Sequence, residues 1–536
     1  MLTSLIQRLQ LSRAKHPSLH GHARLSKRFA RLVPYYEYGP ERFFASDGAP
    51  FEVAERRRAG FARLGHTLST RAPRTLEATE ATASIVSDLQ FTNAYRVPFQ
   101  YRRLVREQIT LGAFLESSDG VLVRDLDGNT AYDVSGPYGV NVFGHEFYKA
   151  CIDAGAARAR ALGPVLGAYH PVVADNVARL RRISGLDEVS FHMSGTEAVM
   201  QAVRLARYHT GRSHLVQFTG AYHGWWDGVQ AGVGNPRPPR EVHTLKEMDE
   251  RTLTVLRSRR DLACVLVNPL QALHPNTSAP GDATLVASDR RAGFDREAYT
   301  RWLRALREIC TARGIPLIFD EVFVGFRLAP GGAQEYFGVR ADLVTYGKTV
   351  AGGLPIGVVC GTRALMRRFR DDRPSDICFA RGTFNSHPYV MATMNEFLQR
   401  LDDPAIQASC AAVHQTWNAR FAALNGALAT AGLPVHVANL ASIATICYTA
   451  PSRYNWMLQF YLRAAGLHLS WVGSGRLVFS HDYRDEDFAE VTRRIVSAAR
   501  TMQEDGWWWH QPSLTNTAIR RQVLREMLAA RLRGLA

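Results

Sequence analysis

The stretch IPLIFDEVFVGFRLAPGGAQEYFGVRADLVTYGKTVAGGLPIGVVCG, residues 315–361, decides the fold. An apolar run over residues 315–319 ends on Asp320 and Glu321, and a second run over 342–346 ends on Gly347 and Lys348. Runs of this length and composition predict buried strands. If the strands belong to one parallel sheet, the carboxylate and the lysine meet at the edge where open α/β sheets bind ligands.

This pairing of residue types favours one chemistry. A lysine at such an edge can form a Schiff base with a carbonyl, and a carboxylate can pair with the ring nitrogen of pyridoxal phosphate. On these two residues alone, a structural ion pair or two unrelated surface groups explain the pattern equally well.

Length and composition indicate a globular protein. The chain has 536 residues, of which 46% are hydrophobic and 21% charged, which fits two to four domains. No apolar run approaches the roughly 20 residues of a membrane span, and the first residues do not resemble a secretory signal. Seven scattered cysteines without a Cys-x-x-Cys pair favour reduced thiols in the cytoplasm over a disulfide framework or a metal site.

The positive charge is concentrated at the ends. Residues 1–110 and 511–536 together hold 13 of the 16 excess positive charges. Such ends could attract nucleic acid, a membrane surface or an acidic protein. Solvated helix faces are the favoured interpretation, and nucleic acid is not expected, because no recognised nucleic-acid motif accompanies the charge.

The chain divides by pattern. Between residues 188 and 361 short β-type runs alternate with longer helical patterns, which predicts βαβ units and a mainly parallel sheet. A Thr/Ala/Ser-rich stretch, residues 67–87, predicts a looser connection. The predicted domains are a basic extension (1–95), the N-terminal part of a small domain (96–150), a large cofactor-binding domain (151–394), the C-terminal small domain (395–510) and a basic tail helix (511–536).

Two motifs lie next to predicted strands. FHMSGTEAVMQAVRLAR, residues 191–207, places Ser194, Gly195 and Thr196 at a helix N-terminus, which suits a phosphate monoester. An ordinary capping box between Ser194 and Glu197 is an equal alternative. FTGAYHGWWDG, residues 218–228, offers Tyr222 and His223, whose rings are either core residues or neighbours of a heteroaromatic cofactor.

Taken in order, SGTEA, YHG, FDEVFVGFR, GKTVAGGLPIG and RGTFNSHP resemble the motifs of the class III pyridoxal-phosphate aminotransferases. The similarity covers roughly residues 100–505 and is greatest to the glutamate-1-semialdehyde aminomutase branch. It implies the fold type I of pyridoxal-phosphate transferases, an α/β fold in which a large domain has a mainly parallel seven-stranded sheet beside a smaller α+β domain. It also implies pyridoxal 5′-phosphate as cofactor, with an amino-acid donor and a carbonyl acceptor as substrates.

The resemblance also implies roles for individual residues. Lys348 would bind the cofactor covalently and move a proton, and Asp320 would pair with the ring nitrogen. Thr383, in the turn-rich segment RGTFNSHPY, would reach the phosphate bound by a second subunit, which implies a homodimer with shared sites. The other cofactor-binding residues implied are Ser194, Gly195, Thr196, Tyr222, His223 and Phe323.

The chain departs from the family pattern at two positions. Asn268-Pro269 stands where many members have Glu-Pro, and Phe323 where many have Gln, although the aminomutase branch is also apolar there. Strings such as RVPFQY and VNPLQALHPN are similar to the aminotransferase portion of the enzyme family that aminates an acetyl-substituted aliphatic aldehyde in prodigiosin biosynthesis.

Three functions follow as hypotheses. The first is an aminotransferase that moves an amino group from an amino acid to an aliphatic aldehyde or ketone in secondary metabolism. The second is a glutamate-1-semialdehyde-type 2,1-aminomutase. The third is a scaffold that docks a carrier protein or nucleic acid through its basic ends, against which the Lys348/Asp320 pair argues.

Overall fold

The computed structural model describes residues 2–17, 21–238, 240–276, 291–470 and 475–533. The chain forms two compact units. The first comprises Met1–Ala30, Gly139–Ala279 and Gly293–His414, and the second Arg31–Tyr138, Pro280–Ala292 and Gln415–Ala536. The predicted division into domains differs from these units, since residues 31–95 cluster with the second unit and residues 139–150 and 395–414 with the first.

Fourteen strands are present in the described part of the chain. They are β1 (Ser117–Asp119), β2 (Leu122–Arg124), β3 (Thr130–Asp133), β4 (Glu188–His192), β5 (His214–Phe218), β6 (Val242–Leu245), β7 (Leu262–Val267), β8 (Leu317–Asp320), β9 (Leu343–Gly347), β10 (Gly357–Gly361), β11 (Val435–Leu440), β12 (Ile443–Tyr448), β13 (Leu467–His468) and β14 (Arg476–Val478).

The same residues form nineteen α-helices. They are α1 (Leu2–Ala14), α2 (Ala23–Leu32), α3 (Pro40–Phe44), α4 (Phe51–Arg71), α5 (Pro73–Ala83), α6 (Ser87–Tyr95), α7 (Arg102–Gln108), α8 (His145–Ala159), α9 (Val172–Ser184), α10 (Gly195–Thr210), α11 (Glu250–Ser258), α12 (Arg296–Arg313), α13 (Gly332–Phe337), α14 (Arg363–Met366), α15 (Pro388–Arg400), α16 (Pro404–Thr430), α17 (Leu458–Ala464), α18 (Asp485–Glu504) and α19 (Asn516–Arg533). None of these helices is both long and apolar enough to cross a membrane.

The first unit contains a seven-stranded sheet of order β4-β10-β9-β8-β7-β5-β6. Strands β9, β8, β7, β5 and β6 are parallel neighbours, whereas β10 runs antiparallel to both β4 and β9. The predicted mainly parallel seven-stranded sheet is therefore confirmed. The strand that the sequence did not reveal is β6, whose sequence Val-His-Thr-Leu is short and half polar.

Helix α10 shows how apolar spacing fixes the packing of this sheet. Its residues Ala198, Val199, Ala202, Val203 and Ala206 are all at most 1% exposed, as their helical spacing predicts. They pack in one core cluster with residues of strands β5, β7, β8, β9 and β10. This packing holds the N-terminus of α10 at the end of β4, where Ser194 accepts a hydrogen bond from the backbone of Glu197.

The second unit contains the sheets β1-β2-β3-β13 and β11-β12-β14. Its core includes a cluster of aromatic rings that contact one another, with Phe43 5.6 Å and Tyr454 5.0 Å from Trp507 between ring centroids. The indole Nε1 of Trp507 donates to Tyr461 at 2.7 Å. Trp507, the first of three consecutive tryptophans, therefore packs in the core of this unit.

Arginines of the basic ends have structural partners, and so does Arg453, which lies outside those ends. Arg453 is fully buried and donates to Asp47 at 2.8 Å, and lies 3.5 Å from Glu526 on the tail helix α19. Arg42 binds the same Glu526 at 2.9 Å, and Arg57 donates to the carbonyl of Gly506 at 2.9 Å. The scaffold hypothesis is weakened, because this part of the positive charge stabilises the fold.

The Thr/Ala/Ser-rich stretch of residues 67–87 is helical, and the prediction of a looser connection there was wrong. Helix α4 continues to Arg71 and α5 follows at once, with Pro73 at its first position. Thr75 and Thr79 are buried, and their hydroxyls bind Asp127 and the carbonyl of Thr75 at 2.6 and 2.7 Å. Satisfied hydroxyls of this kind offset the low helix propensity of threonine.

One buried carboxyl group gives the first unit a pH-dependent stability. Glu247 is fully buried, accepts from Tyr299 at 2.6 Å, and burial raises its pKa to about 8. Because the unfolded value is about 4.3, the folded state binds more protons between these two pH values. The contribution of Glu247 to the free energy of unfolding is therefore fully present below about pH 4.3 and is lost as the pH rises towards 8.

We expect Glu247→Gln, which is neutral at every pH, to be more stable than the parent by roughly 4 kcal/mol at pH 8 and by only about 1 kcal/mol near pH 5. Melting temperatures at both pH values measure this difference. Glu250→Gln, at an exposed glutamate of the same unit, is the control and should follow the parent at both pH values. Equal gains for both variants at pH 8 would contradict the assignment.

Candidate active site

Asp320 is the last residue of β8 and is 4% exposed. Its carboxylate accepts three hydrogen bonds. Nδ1 of His223 lies 2.8 Å from Oδ2, and the hydroxyl of Thr345 and the backbone N–H of Val322 each lie 3.2 Å from Oδ1. Thr345 is the register partner of Asp320 on the adjacent strand β9. The carboxylate is therefore fixed in orientation from two neighbouring strands and one loop.

His223 follows β5 and is 2% exposed. With Nδ1 turned to Asp320, its second ring nitrogen Nε2 is buried without a hydrogen-bond partner among the described residues. A ring nitrogen in this state can accept or donate one further hydrogen bond, depending on the tautomer. The sequence grouped His223 with the cofactor residues, and the structure places it against Asp320.

Lys348 follows β9 directly and begins a short 3₁₀ helix, Lys348–Ala351. Its φ of 50° lies in the left-handed region, which a residue with a side chain adopts at a cost of about 1–3 kcal/mol, usually where function requires it. Burial lowers the pKa of its amine, and the nearby Asp320 opposes this shift. A lowered pKa favours the neutral amine, which is the nucleophilic form.

The aromatic ring of Phe323 lies beside this amine. Nζ of Lys348 is 5.4 Å from the ring centroid. Gly139 also adjoins the ring, since a Cβ there would lie 2.8 Å from Cε2 of Phe323. Phe323 thus presents an apolar surface to the lysine, at the position where the sequence departs from many members of the family.

The N-terminus of α10 meets the same strand ends. A Cβ at Gly195 would lie 2.6 Å from Cγ1 of Val322, and a Cβ at Gly347 would lie 3.1 Å from the same atom. On the other side, a Cβ at Gly224 would approach the hydroxyl of Thr196 to 2.5 Å. Glycine avoids a clash at Gly195 and Gly224 and a tight contact at Gly347, which keeps the backbone of the helix N-terminus close to the ends of β8 and β9.

Ser194 is a helix cap, whichever role its neighbours have. Its Oγ accepts from the backbone of Glu197 at 3.2 Å, while Oε2 of Glu197 accepts from the backbone of Met193 at 2.9 Å. The capping alternative is thus present in the structure. The first backbone N–H groups of a helix have no partners within it, so those of Gly195 and Thr196 stay available to an anion.

Asn268 has a role that sequence reasoning missed. It follows β7, is 6% exposed, and its Nδ2 donates to the backbone carbonyl of Tyr222 at 3.0 Å. Its Oδ1 accepts from the backbone of Leu270 at 3.1 Å and so caps the 3₁₀ helix that follows. A glutamate could not make the first of these bonds. The departure from Glu-Pro was visible in the sequence, but its partner, a backbone atom 46 residues away, was not.

Two predicted residues lie apart from the buried group. The side chain of Tyr222 is 54% exposed, although its backbone is held by Asn268. Thr383 is exposed in a turn before α15, and its predicted contact is with a second subunit. The structure of one chain therefore brings together His223, Asp320, Phe323 and Lys348, with Gly195 and Thr196 beside them.

These residues fit pyridoxal phosphate. The available N–H groups of a helix N-terminus suit a phosphate. Asp320 ends β8, and Lys348 follows the adjacent strand β9. One flat molecule can therefore present its carbonyl carbon to the buried amine of Lys348 and its ring nitrogen to the fixed carboxylate of Asp320.

Comparisons with known proteins identify the family of this chain. The model of the class-III aminotransferase family matches residues 105–428. The glutamate-1-semialdehyde 2,1-aminomutase of Nitratidesulfovibrio vulgaris is 32% identical over 402 residues, which are 70% of this chain and 90% of that protein.

Solved structures show the same fold. A transaminase with pyridoxal phosphate bound is 29% identical, with a TM-score of 0.62 over 74% of this chain and 92% of that one. A glutamate-1-semialdehyde aminomutase from Pseudomonas aeruginosa PAO1 is 19% identical, with a TM-score of 0.67 over 84% of this chain and 99% of that one. By fold, by site and by sequence, the chain belongs to the class-III aminotransferases, which are transaminases that use pyridoxal 5′-phosphate.

Proposed function

We propose that this transaminase moves the amino group of an amino acid to an aliphatic aldehyde or ketone in secondary metabolism. One observation carries the chemical part. A buried amine, Lys348, and a buried carboxylate, Asp320, follow adjacent parallel strands with an apolar ring, Phe323, beside the amine. That arrangement suits a reaction that forms a carbanion at the carbon atom bearing the amino group of the substrate.

When bound, pyridoxal phosphate supplies an electron sink for the bond broken at the amino carbon of the substrate. Lys348 would hold the cofactor covalently through Nζ, because burial favours its neutral amine. Once a substrate amine has replaced it, the same Nζ is free to take a proton from the substrate carbon and return it at a second carbon.

Asp320 would face the ring nitrogen and favour its protonated form by charge. Its hydrogen bonds to His223 and Thr345 hold the carboxylate in place. His223 acts through Asp320 and is a positioning residue. The backbone N–H groups of Gly195 and Thr196, with the hydroxyl of Thr196, would hold the phosphate group, and Tyr222 would stack on the ring.

The proposed acceptor class rests on the sequence around the site. Phe323 offers hydrocarbon surface where many family members have an amide, which favours an acceptor without polar groups at that point. The strings similar to the prodigiosin-pathway aminotransferase support an aliphatic aldehyde of secondary metabolism as the natural acceptor.

A homodimer with shared sites is part of the proposal. Thr383 is exposed and can therefore reach a second chain. Large apolar side chains of the same unit are also exposed and favour coverage by a partner, namely Tyr169, Trp225, Phe379 and Phe384, each at least 50% exposed. We also propose a cytoplasmic location, because all seven cysteines are buried free thiols.

A 2,1-aminomutase is the second candidate. The observation that favours it is the 32% identity to the aminomutase of Nitratidesulfovibrio vulgaris over nine-tenths of that protein. The two reactions share the residues described above and differ in the source of the nitrogen atom, which comes from a separate donor in one and from the substrate itself in the other.

A nitrogen label separates the two candidates. We expect ¹⁵N-labelled alanine or glutamate, mixed with a panel of aliphatic aldehydes and ketones, to yield a labelled amine and one equivalent of keto acid by mass spectrometry. An aminomutase would rearrange glutamate-1-semialdehyde without incorporating the label. If none of the acceptors yields a labelled amine and the protein rearranges the semialdehyde, the first proposal is wrong and the second is supported.

Lys348→Ala tests the catalytic assignment. We expect the absorption band of the lysine-bound cofactor to disappear and turnover to fall by roughly 10⁴-fold or more, because the covalent anchor and the proton carrier are lost together. Lys149→Ala, at an exposed lysine on α8, is the control and should keep both. An unchanged spectrum in Lys348→Ala would refute the assignment.

Asn268→Asp tests the missed residue. The substitution keeps the shape and the oxygen that caps Leu270, and it replaces the donor to Tyr222 by a second oxygen. We expect the dissociation constant of the cofactor to rise by about tenfold, since a lost buried hydrogen bond costs about 1–3 kcal/mol. Fluorescence titration of the cofactor-free protein measures it.

Asn439→Asp, in the second unit, makes the same chemical change at an amide that also donates to a carbonyl. It should leave cofactor binding unchanged. If both variants lose affinity equally, Asn268 has only a general effect on stability.

A further inference from the structure

Residues 1–30 carry six lysine or arginine residues and no aspartate or glutamate. Part of this segment faces strand β6 across a cleft of about 610 Å³. Strand β6 is the edge of the seven-stranded sheet, separated from β8 by β5 and β7. At about 4.8 Å per strand, the cleft lies some 14 Å or more from the Asp320 strand, so it is a separate site.

The walls of the cleft are basic and partly apolar. Lys15, Arg24, Arg28 and Arg240 contribute four cations, His22 and His243 contribute imidazoles, and no carboxylate is among the described lining residues. The cations also weaken one another. Burial and the charge of Arg24 lower the pKa of Lys15, and Lys15 in turn contributes to a lowered pKa of His22. Positive charge is thus gathered here without a carboxylate among the described residues that line the cleft.

His243 also lines the cleft and adds no charge to it. Burial and neighbouring cations lower its pKa to about 3, so the ring is neutral. Its Nε2 is closed off from solvent and has no hydrogen bond among the described residues.

Backbone donors face the cleft as well. The N–H of Lys246 points away from β5 and donates to the carbonyl of Ala14 at 2.8 Å. Because N–H groups alternate along a strand, those of Thr244 and Val242 point to the same outer side, and both residues line the cleft. Helix α2 also begins here, with Arg24 and no acidic residue in its first turn, a charge that opposes the helix dipole.

We propose that this cleft binds a phosphate-bearing small molecule. The cations of Lys15, Arg28 and Arg240 neutralise the phosphate, and the outer N–H groups of β6 and the start of α2 donate to its oxygens. The apolar side chains of Leu11, Leu25 and Val242 are available to an attached organic group. The volume fits a molecule of nucleotide size.

A metal ion is the competing occupant. His214, His243 and Asp261 place ligand atoms within 4.8 Å of one another. However, Nε of Arg259 donates to one oxygen of Asp261 at 2.9 Å and its Nη2 binds the other, so the carboxylate is already neutralised. Lys15 and Arg259 also bring positive charge to His243, which disfavours a cation.

Isothermal titration of the cofactor-saturated protein with inorganic pyrophosphate tests the proposal, because the catalytic phosphate site is then filled. We expect one additional site per chain. The exposed pair Arg28→Gln/Arg240→Gln should weaken binding at least tenfold without affecting folding, and Lys15→Gln should do so independently. The matched pair Arg301→Gln/Arg493→Gln, at exposed arginines away from the cleft, should bind as the parent does. Transaminase activity without pyrophosphate should be unchanged in all four proteins.

Three results would overturn the proposal. One is no pyrophosphate binding at about 0.15 M salt, and another is equal weakening by the control pair, which indicates general charge attraction. The third is that the protein binds zinc but not pyrophosphate, and that Asp261→Asn and His243→Gln each abolish the zinc binding. ADP and inorganic phosphate, titrated in parallel, distinguish a nucleotide from a free phosphate as the source. These readouts need no turnover, so they stand apart from the test of the proposed function.

Discussion

The hydrogen bond between Nδ1 of His223 and Oδ2 of Asp320 is the contact on which the active site depends. Both side chains are at most 4% exposed, and a buried carboxylate in this position needs partners. The bond joins the loop after β5 to the end of β8, two strands away in the sheet. Thr345 adds the end of β9 to the same carboxylate. One charged group thus sets the mutual positions of three strand ends.

Glycine determines how closely the remaining parts approach. At Gly195, Gly347 and Gly224 an added Cβ would lie between 2.5 and 3.1 Å from a neighbouring side-chain atom. The backbones of Gly195 and Gly347 approach the side chain of Val322, and the backbone of Gly224 approaches the side chain of Thr196. The strain of Lys348, which has a positive φ without being glycine, is tolerated in this close-packed surrounding. Rigid packing therefore supports a lysine held in a single, costly conformation.

The sequence predicted this sheet well because its signals are local. Each buried strand is an apolar run, and the motifs that follow β4, β5, β8 and β9 lie at the edge where parallel strands end. The sequence did not predict strand β6, because an edge strand has one unpaired side and tolerates polar residues such as His243 and Thr244. The sequence did not predict the role of Asn268 or the helical state of residues 67–87, for a different reason. Their decisive partners, the carbonyl of Tyr222 and the carboxylate of Asp127, are distant in the chain.

Positive charge in the sequence has two physical outcomes. In the second unit Arg453 is fully buried, but Asp47 and Glu526 surround it, so its charge is compensated within the fold. In the first unit Lys15 is also largely withdrawn from water, and the groups that affect its pKa are burial and another cation, Arg24. A net count of charges cannot separate these cases, since each residue adds one positive charge. The difference lies in the carboxylates that tertiary structure supplies to Arg453 and that are absent from the described lining of the cleft around Lys15, so the charge of Lys15 is the one left to bind an anion from solution.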